Sequence, residues 1–392
     1  MTDTALLAMA LAAVAGFLAG LAWARSARRG ARGERFRTSP HYTQGLHYLT
    51  AGQLEPAISE LTKVTREDPG AVDVVQVLSH LLREAGQVEK AIQLHQGLLA
   101  RGDLTRAERA YVLAALGTDF RKAGFLDRAD RAYAEALEVD PRNVQALAGQ
   151  QKLHEEQRQW REAYDLQTRL SRLRKTDDSL VLGHLQAELG REAALLGRRE
   201  AAEAAFETAL SLDRRVFPAR LGLAELFVES DPRRAAAILE EAIAAAPDRA
   251  YLVFEPLARA YSKSGESSRF VAVCERLIQQ DPGDWRARIA LSRHLRAEGK
   301  PEESLGLLLR AVEANPQVLL VHLEAWRTLR ALGVAGRAEA RYVSAAEASA
   351  FPVDPHICTA CRYRADDMLW RCPHCHEWAT LVEERLAPAA GR

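Results

Sequence analysis

Between residues 38 and 350, small, large apolar and polar positions return in a fixed order about every 34 residues. A small residue holds the eighth position and a large apolar or aromatic one the eleventh. Glycine falls near the fifteenth, alanine at the twentieth and proline at the thirty-second. Counted from Ala110 these are Gly117, Phe120, Gly124, Ala129 and Pro141. Counted from Tyr251 they include Ala258, Tyr261, Gly265 and Pro282. Glycine permits a reversal between two helices, and proline ends the second. Each unit is therefore predicted as two antiparallel helices that approach closely through their small residues.

About nine such units are expected, starting at Thr38, Val72, Ala110, Val144, Gly183, Phe217, Tyr251, Trp285 and Leu319, with short insertions before the third and fifth. The unit at Val144 is degenerate and recognisable mainly by Ala163. This is the tetratricopeptide pattern. One pair cannot bury its apolar face alone, so neighbours stack. The expected fold is an all-α tetratricopeptide-repeat superhelix with a concave groove, a scaffold suited to holding other proteins. Cys274 takes the twenty-fourth position of its unit, where Tyr133 and Phe206 stand in others, and reads as a buried core thiol. Tyr111, Trp160 and Trp285 read as packing residues.

The two ends of the chain depart from this pattern. Ala5 to Ala24 carries no charge, and about twenty helical residues span the ~30 Å core of a bilayer. Residues 1–25 are expected to form one N-terminal transmembrane anchor. A cleaved signal peptide is the rival, with Ala22-Trp23-Ala24 resembling a cleavage site. Its start, Met1-Thr2-Asp3-Thr4, has an acid and no base, which does not suit a signal. Arg25, Arg28, Arg29, Arg32, Arg35 and Arg37 follow the span and make 26–37 a basic juxtamembrane segment. Positive residues stay on the cytoplasmic side, so the N-terminus is expected outside and the bulk of the chain in the cytoplasm. Contact with anionic lipid headgroups is a second use for these arginines.

After residue 350, Phe351-Pro352-Val353-Asp354-Pro355 opens a stiff linker over 351–356. The module 357–384 is too small for a hydrophobic core of its own, and 385–392 is a tail. The module holds Cys358-Thr-Ala-Cys361 and Cys372-Pro-His-Cys375. Two Cys-x-x-Cys turns facing each other offer four thiolates at the corners of a tetrahedron. Cys358, Cys361, Cys372 and Cys375 are thus the expected ligands of one metal ion, whose binding supplies the missing folding energy. Four thiolates suit zinc and iron alike. His356, His374 and His376 border the site. Tyr363, Leu369, Trp370 and Trp378 are expected to form a small apolar cluster around it. A thioredoxin-type redox pair would need a strand-and-helix context that is missing.

Composition removes several classes of function. Lys and Arg total 53 and Asp and Glu 53, so no basic excess speaks for nucleic acid. Four of the five cysteines sit in the two pairs, against a secreted disulfide framework. No nucleophile motif, phosphate loop or open metal position is present, so no enzyme activity is expected. The inner face is more informative. In this repeat class the first helix of each pair lines the groove, and its inner positions in the later repeats carry Arg191, Arg259, Lys263, Arg293, Arg296, Arg327 and Arg330. The C-terminal half of the groove is expected to be basic and to receive an acidic segment, of a partner or of this chain. A solvated charged face is the plainer reading of the same residues.

Taken together, the parts and their order resemble the lipopolysaccharide assembly protein B family over essentially the whole chain. The stretches Ala91-Ile-Gln-Leu-His-Gln, Ala123-Gly-Phe-Leu-Asp-Arg-Ala-Asp and Leu369-Trp370-Arg371-Cys372-Pro373 through Trp378 carry the likeness. The resemblance implies a rubredoxin-type knuckle with Cys358, Cys361, Cys372 and Cys375 as its ligands. It implies a single-pass protein of the bacterial inner membrane with a periplasmic N-terminus. It also implies an adaptor that restrains lipopolysaccharide synthesis by helping the membrane protease FtsH degrade the deacetylase LpxC, and that organises other lipopolysaccharide assembly proteins. Chemistry would then belong to the partners, and a homo-oligomer is compatible with the scaffold. The alternative from another class is an iron-loaded, rubredoxin-like electron-transfer protein tethered to the membrane. Rubredoxins usually carry glycine after the first cysteine pair, whereas this chain has Arg362, which weighs against electron transfer more than against metal binding.

Overall fold

The computed structural model describes residues 39–316, 318–334, 336 and 356–384. The expected anchor at 5–24, the basic segment 26–37, linker residues 351–355 and the tail 385–392 lie outside the described residues. Among the described residues no helix is long and apolar enough to cross a membrane. Seventeen α-helices and a three-stranded sheet are present among them, in two compact units that divide after Thr176.

The first unit holds four helical pairs: α1 (Pro40–Thr50) with α2 (Leu54–Glu67), α3 (Val72–Glu84) with α4 (Val88–Leu99), α5 (Arg106–Lys122) with α6 (Leu126–Val139), and α7 (Val144–Glu156) with α8 (Trp160–Arg174). The second holds α9 (Ser179–Leu195) with α10 (Arg199–Leu212), α11 (Phe217–Phe227) with α12 (Pro232–Ala245), α13 (Phe254–Ser264) with α14 (Ser267–Gln280), α15 (Trp285–Ala297) with α16 (Pro301–Ala314), then α17 (Leu319–Ala331). A 3-10 turn, Pro247–Leu252, precedes α13. Its Pro247 comes one residue ahead of the usual proline position of the repeat.

Local chemistry sets the helix ends. Thr105 and Glu108 form a reciprocal capping box at the start of α5. Asn143, Asp231 and Asp284 each accept a backbone N–H three residues on, which satisfies a donor the helix itself leaves open. Gly265 closes α13 with a left-handed φ of 73°. In the degenerate fourth pair Arg158 stands at the same turn with φ 58°. The backbone keeps the reversal there although the side chain strains it, so the repeat is harder to read in sequence than in structure.

Packing between pairs depends on a matched set of sizes. The ring of Tyr133 fills the space left by Gly117 and Gly149; a Cβ on Gly117 would meet it at 2.6 Å. Phe206 does the same between Gly190 and Gly222, with 2.7 Å for a Cβ on Gly190. At the equivalent position Cys274 is fully buried, and the residues in register with those glycines are Ala258 and Ala290. Burial pushes the Cys274 thiol up to about 12, so it acts as an apolar filler. His95 takes this position in the second pair. Its Nδ1 lies 2.5 Å from Asp119, whose other oxygen accepts from Arg83 at 2.6 Å, tying α3, α4 and α5 together through one buried carboxylate. Trp160 and Trp285 are buried, whereas Tyr111 is exposed and contributes no core packing of the expected kind.

Candidate metal centre

The C-terminal module is a three-stranded antiparallel sheet in the order β2 (Arg364–Ala365), β1 (His356–Cys358), β3 (Leu381–Glu383). Ile357 and Leu381 are buried within it. The two cysteine pairs form matching turns. After the first, Arg362 N–H donates to Cys358 O at 2.9 Å; after the second, His376 N–H donates to Cys372 O at 2.9 Å. Arg362 and His376 adopt φ of 63° and 62°. The residue after each pair is therefore left-handed, and after the first pair it is a strained arginine.

These turns bring the four thiol sulfurs within 4.8 Å of one another. Cys358 and Cys375 are 3.6 Å apart, as are Cys361 and Cys372. A tetrahedron with ~2.3 Å metal–sulfur bonds has sulfur–sulfur edges of about 3.8 Å, so the cluster fits one tetrahedral ion without rearrangement. All five cysteines are free thiols. Burial opposes ionisation of Cys358, but hydrogen bonds with Thr380 and the backbone of Cys361 and Ala360 outweigh it and bring the thiol down to about 6. Burial and the neighbouring cysteines push Cys375 up to about 12. Four thiolates can coexist only around a cation, and four sulfurs complete its shell. The three nearby histidines are not part of the cluster.

The module sits on the repeats of the second unit. His356 Nε2 is 2.7 Å from the hydroxyl of Tyr251. Burial, then Glu383, pushes that tyrosine up to about 12, so its hydroxyl remains neutral. Arg286, on α15, grips Glu383 through two contacts of 2.6 and 2.9 Å. Trp378 stacks on His184 of α9 at 5.2 Å. Trp370 stacks on Phe217 of α11 at 5.8 Å and joins the main core of the repeats. The expected apolar cluster around the metal is thus corrected. Leu369 packs beside the cysteines with Leu381, Ala365 and Met368, Tyr363 stacks on His374, and both tryptophans face the repeats. A module this small has spare aromatic surface once the metal holds it together, and the array buries that surface.

The predicted groove residues divide by partner. Arg191 bonds Glu188 on its own helix at 2.5 Å. Arg259 bonds Glu225 at 2.7 Å and Lys263 bonds Glu229 at 2.6 Å. Arg293, Arg296 and Arg327 converge on Glu324 at 2.7, 3.0 and 2.7 Å. Arg330 is exposed on α17. Arg259, Lys263 and Arg293 also line a groove of about 560 Å³ between α13 and α15, floored by Phe254, Ala258, Phe270 and Ala290.

Residues 356–383 match the family described as the rubredoxin metal binding domain. Residues 183–215 and 255–318 match tetratricopeptide repeat families. Lipopolysaccharide assembly protein B of Escherichia coli K12 is 23% identical over 374 residues, covering 91% of this chain and 92% of its own length. The chain is similar to lipopolysaccharide assembly protein B along nearly its whole length. The Haemophilus influenzae protein of that name is 21% identical over 401 residues, 97% of this chain and 98% of its own. Among solved structures, the C-terminal part of a repeat-containing protein from Cytophaga hutchinsonii covers 64% of this chain and 99% of itself, at 14% identity and a TM-score of 0.45.

Sequence reasoning found the clustered cysteines and missed what they rest on. His184, Tyr251, Arg286 and Glu383 carry no motif. The early proline at Pro247 was the one available signal, since it displaces the start of α13 and presents Tyr251 to the module.

Proposed function

We propose that this chain is a membrane-anchored, non-enzymatic scaffold for lipopolysaccharide assembly. Its helical pairs hold partner proteins, and its four-cysteine module, loaded with zinc or iron, forms part of the second unit. The likeness to lipopolysaccharide assembly protein B over 91% of the chain carries this reading, together with a cysteine cluster of tetrahedral dimensions in a segment that matches the rubredoxin metal binding domain family. The apolar stretch 5–24 is the anchor, with the helical pairs and the module on the cytoplasmic side of the inner membrane. Tethering confines partners to one surface and raises their effective concentration for each other. The partners are FtsH and LpxC, brought together so that the protease removes the deacetylase.

The test is made in a bacterium depleted of its own copy of such a scaffold. Expression of this chain is expected to shorten the half-life of LpxC several-fold and lower lipopolysaccharide relative to phospholipid. A chain lacking residues 1–37 is expected to lose both effects. Restored growth with unchanged LpxC turnover removes the protease step and leaves an assembly scaffold; no effect of any kind rejects the reading. Cys361 and Cys375 are only half-buried, which favours electron transfer as the second reading. Metal analysis separates the two, because a zinc-loaded site cannot cycle.

A further inference from the structure

The ninth positions of successive first helices form a row: Glu225, Arg259, Arg293 and Arg327. The row begins balanced. Arg259 reaches back one repeat to Glu225, and one turn along Lys263 reaches back to Glu229. From Arg293 onward the pattern changes. Arg293 and Arg296 both turn to the buried Glu324, which Arg327 also contacts. Burial opposes ionisation of Glu324, but the guanidiniums outweigh it and hold its pKa below the usual carboxylate range. Among the described residues Arg293 and Arg296 share this one carboxylate, two guanidiniums to one acid, and Arg296 also donates to the Thr328 hydroxyl. The Arg293 side chain is 51% exposed.

That charge borders an apolar cavity. Arg293 stands on the wall of the groove of about 560 Å³ whose floor includes Phe254 and Phe270. Glu255 lies one turn before Arg259 on the same wall, so the groove is acidic at one end and basic at the other. The Arg259–Glu225 and Lys263–Glu229 pairs are exposed on both sides. Such pairs are worth little and can be exchanged for incoming carboxylates, and guanidinium forks bind carboxylates in a defined orientation.

We propose that this groove takes a peptide segment of a partner protein in which a bulky apolar side chain is followed by carboxylates. The apolar side chain fills the cavity against Phe254 and Phe270, and the carboxylates lie on Arg293 and Arg296. This deepens the scaffold reading and rests on it. Glu225, Glu229 and Glu255 flank the groove and repel a polyanion such as nucleic acid. The chain's own tail, 385–392, has two arginines and no acid, so it lacks the chemistry of the occupant.

The test pans a phage library of random twelve-residue peptides on the intact, metal-loaded chain. Enriched sequences are expected to carry Leu, Ile or Phe followed within a few residues by Asp or Glu. A synthetic peptide of the enriched sequence is expected to lose at least about ten-fold in affinity with Arg293→Gln and with Ala297→Trp, and several-fold between about 0.1 and about 0.5 M salt. Ala297 is exposed at the groove, so tryptophan there fills the cavity without entering the core. Unchanged thermal unfolding verifies both variants. Enrichment of basic or purely apolar sequences, no enrichment, or binding indifferent to both variants overturns the proposal. If it fails while the intact chain still captures LpxC, the scaffold reading stands on another surface. If the intact chain captures no partner, the scaffold reading itself fails.

Discussion

His184 is buried against Trp378, and among the described residues neither of its ring nitrogens has a hydrogen-bond partner. Burial, then the positive charge of Arg249, lowers its pKa to about 4, with Asp213 acting weakly the other way. The unfolded chain therefore takes up this proton more readily than the folded one. The associated stability is fully present above about pH 6.5, is lost as pH falls toward 4, and amounts to about 3 kcal/mol. Denaturant unfolding across that range is expected to show the slope, and His184→Phe to flatten it while keeping the stack; equal slopes in both proteins would exclude His184 as its source. Arg158 is a second case. Its left-handed turn is expected to gain about 1 kcal/mol from Arg158→Gly in the same unfolding measurement. A third follows from packing: Gly222→Ala would drive a methyl into the Phe206 ring and lower stability by about 1–3 kcal/mol, and Phe206→Leu in the same chain should recover part of that loss. The eighth-position glycines Gly117 and Gly190 were legible in the sequence, because a small residue recurs there with the repeat, whereas the sixth-position Gly222 and its contact with the Phe206 ring were not. The strain at Arg158 and the burial of His184 were not, since neither follows from residue type.

At the scale of elements, the metal module and its seat differ in how they could be read. The cysteine turns are local, so spacing alone pointed to them. The contacts that seat the module join residues 97 and 105 positions apart, and no periodicity links such pairs. The structure gives them testable weight. Arg286→Ala would leave Glu383, whose side chain is 2% exposed, without its guanidinium in a buried setting, at a cost of about 3 kcal/mol. Hydrogen exchange at Leu381–Glu383 is expected to accelerate accordingly, with the helices of the first unit unaffected. Removing the metal with a chelator is expected to dissolve the sheet and expose Trp370 and Trp378, seen as a red shift in tryptophan emission, while far-ultraviolet circular dichroism keeps its helical signal. Loss of the helical signal in step with the metal would mean that the repeats need the module in order to fold.

For the molecule as a whole, charge was the property that sequence reading caught only by half. The arginines of the inner face stood out by position, whereas the acids that bind them lie about a full repeat away, on the preceding repeat as Glu225 and Glu229 do, or buried on the first helix of the next one as Glu324 is. What survives pairing is a local excess beside an apolar groove, a shape and charge suited to holding a segment of another protein. The proposed scaffold makes its claim at this scale: one chain that engages a protease and its substrate together. The most direct measurement captures the intact, metal-loaded chain from solubilised bacterial membranes and probes for FtsH and LpxC. The account predicts both in the eluate, with one of the two lost for Cys372→Ser. Recovery of neither protein by a folded, metal-loaded chain would contradict it.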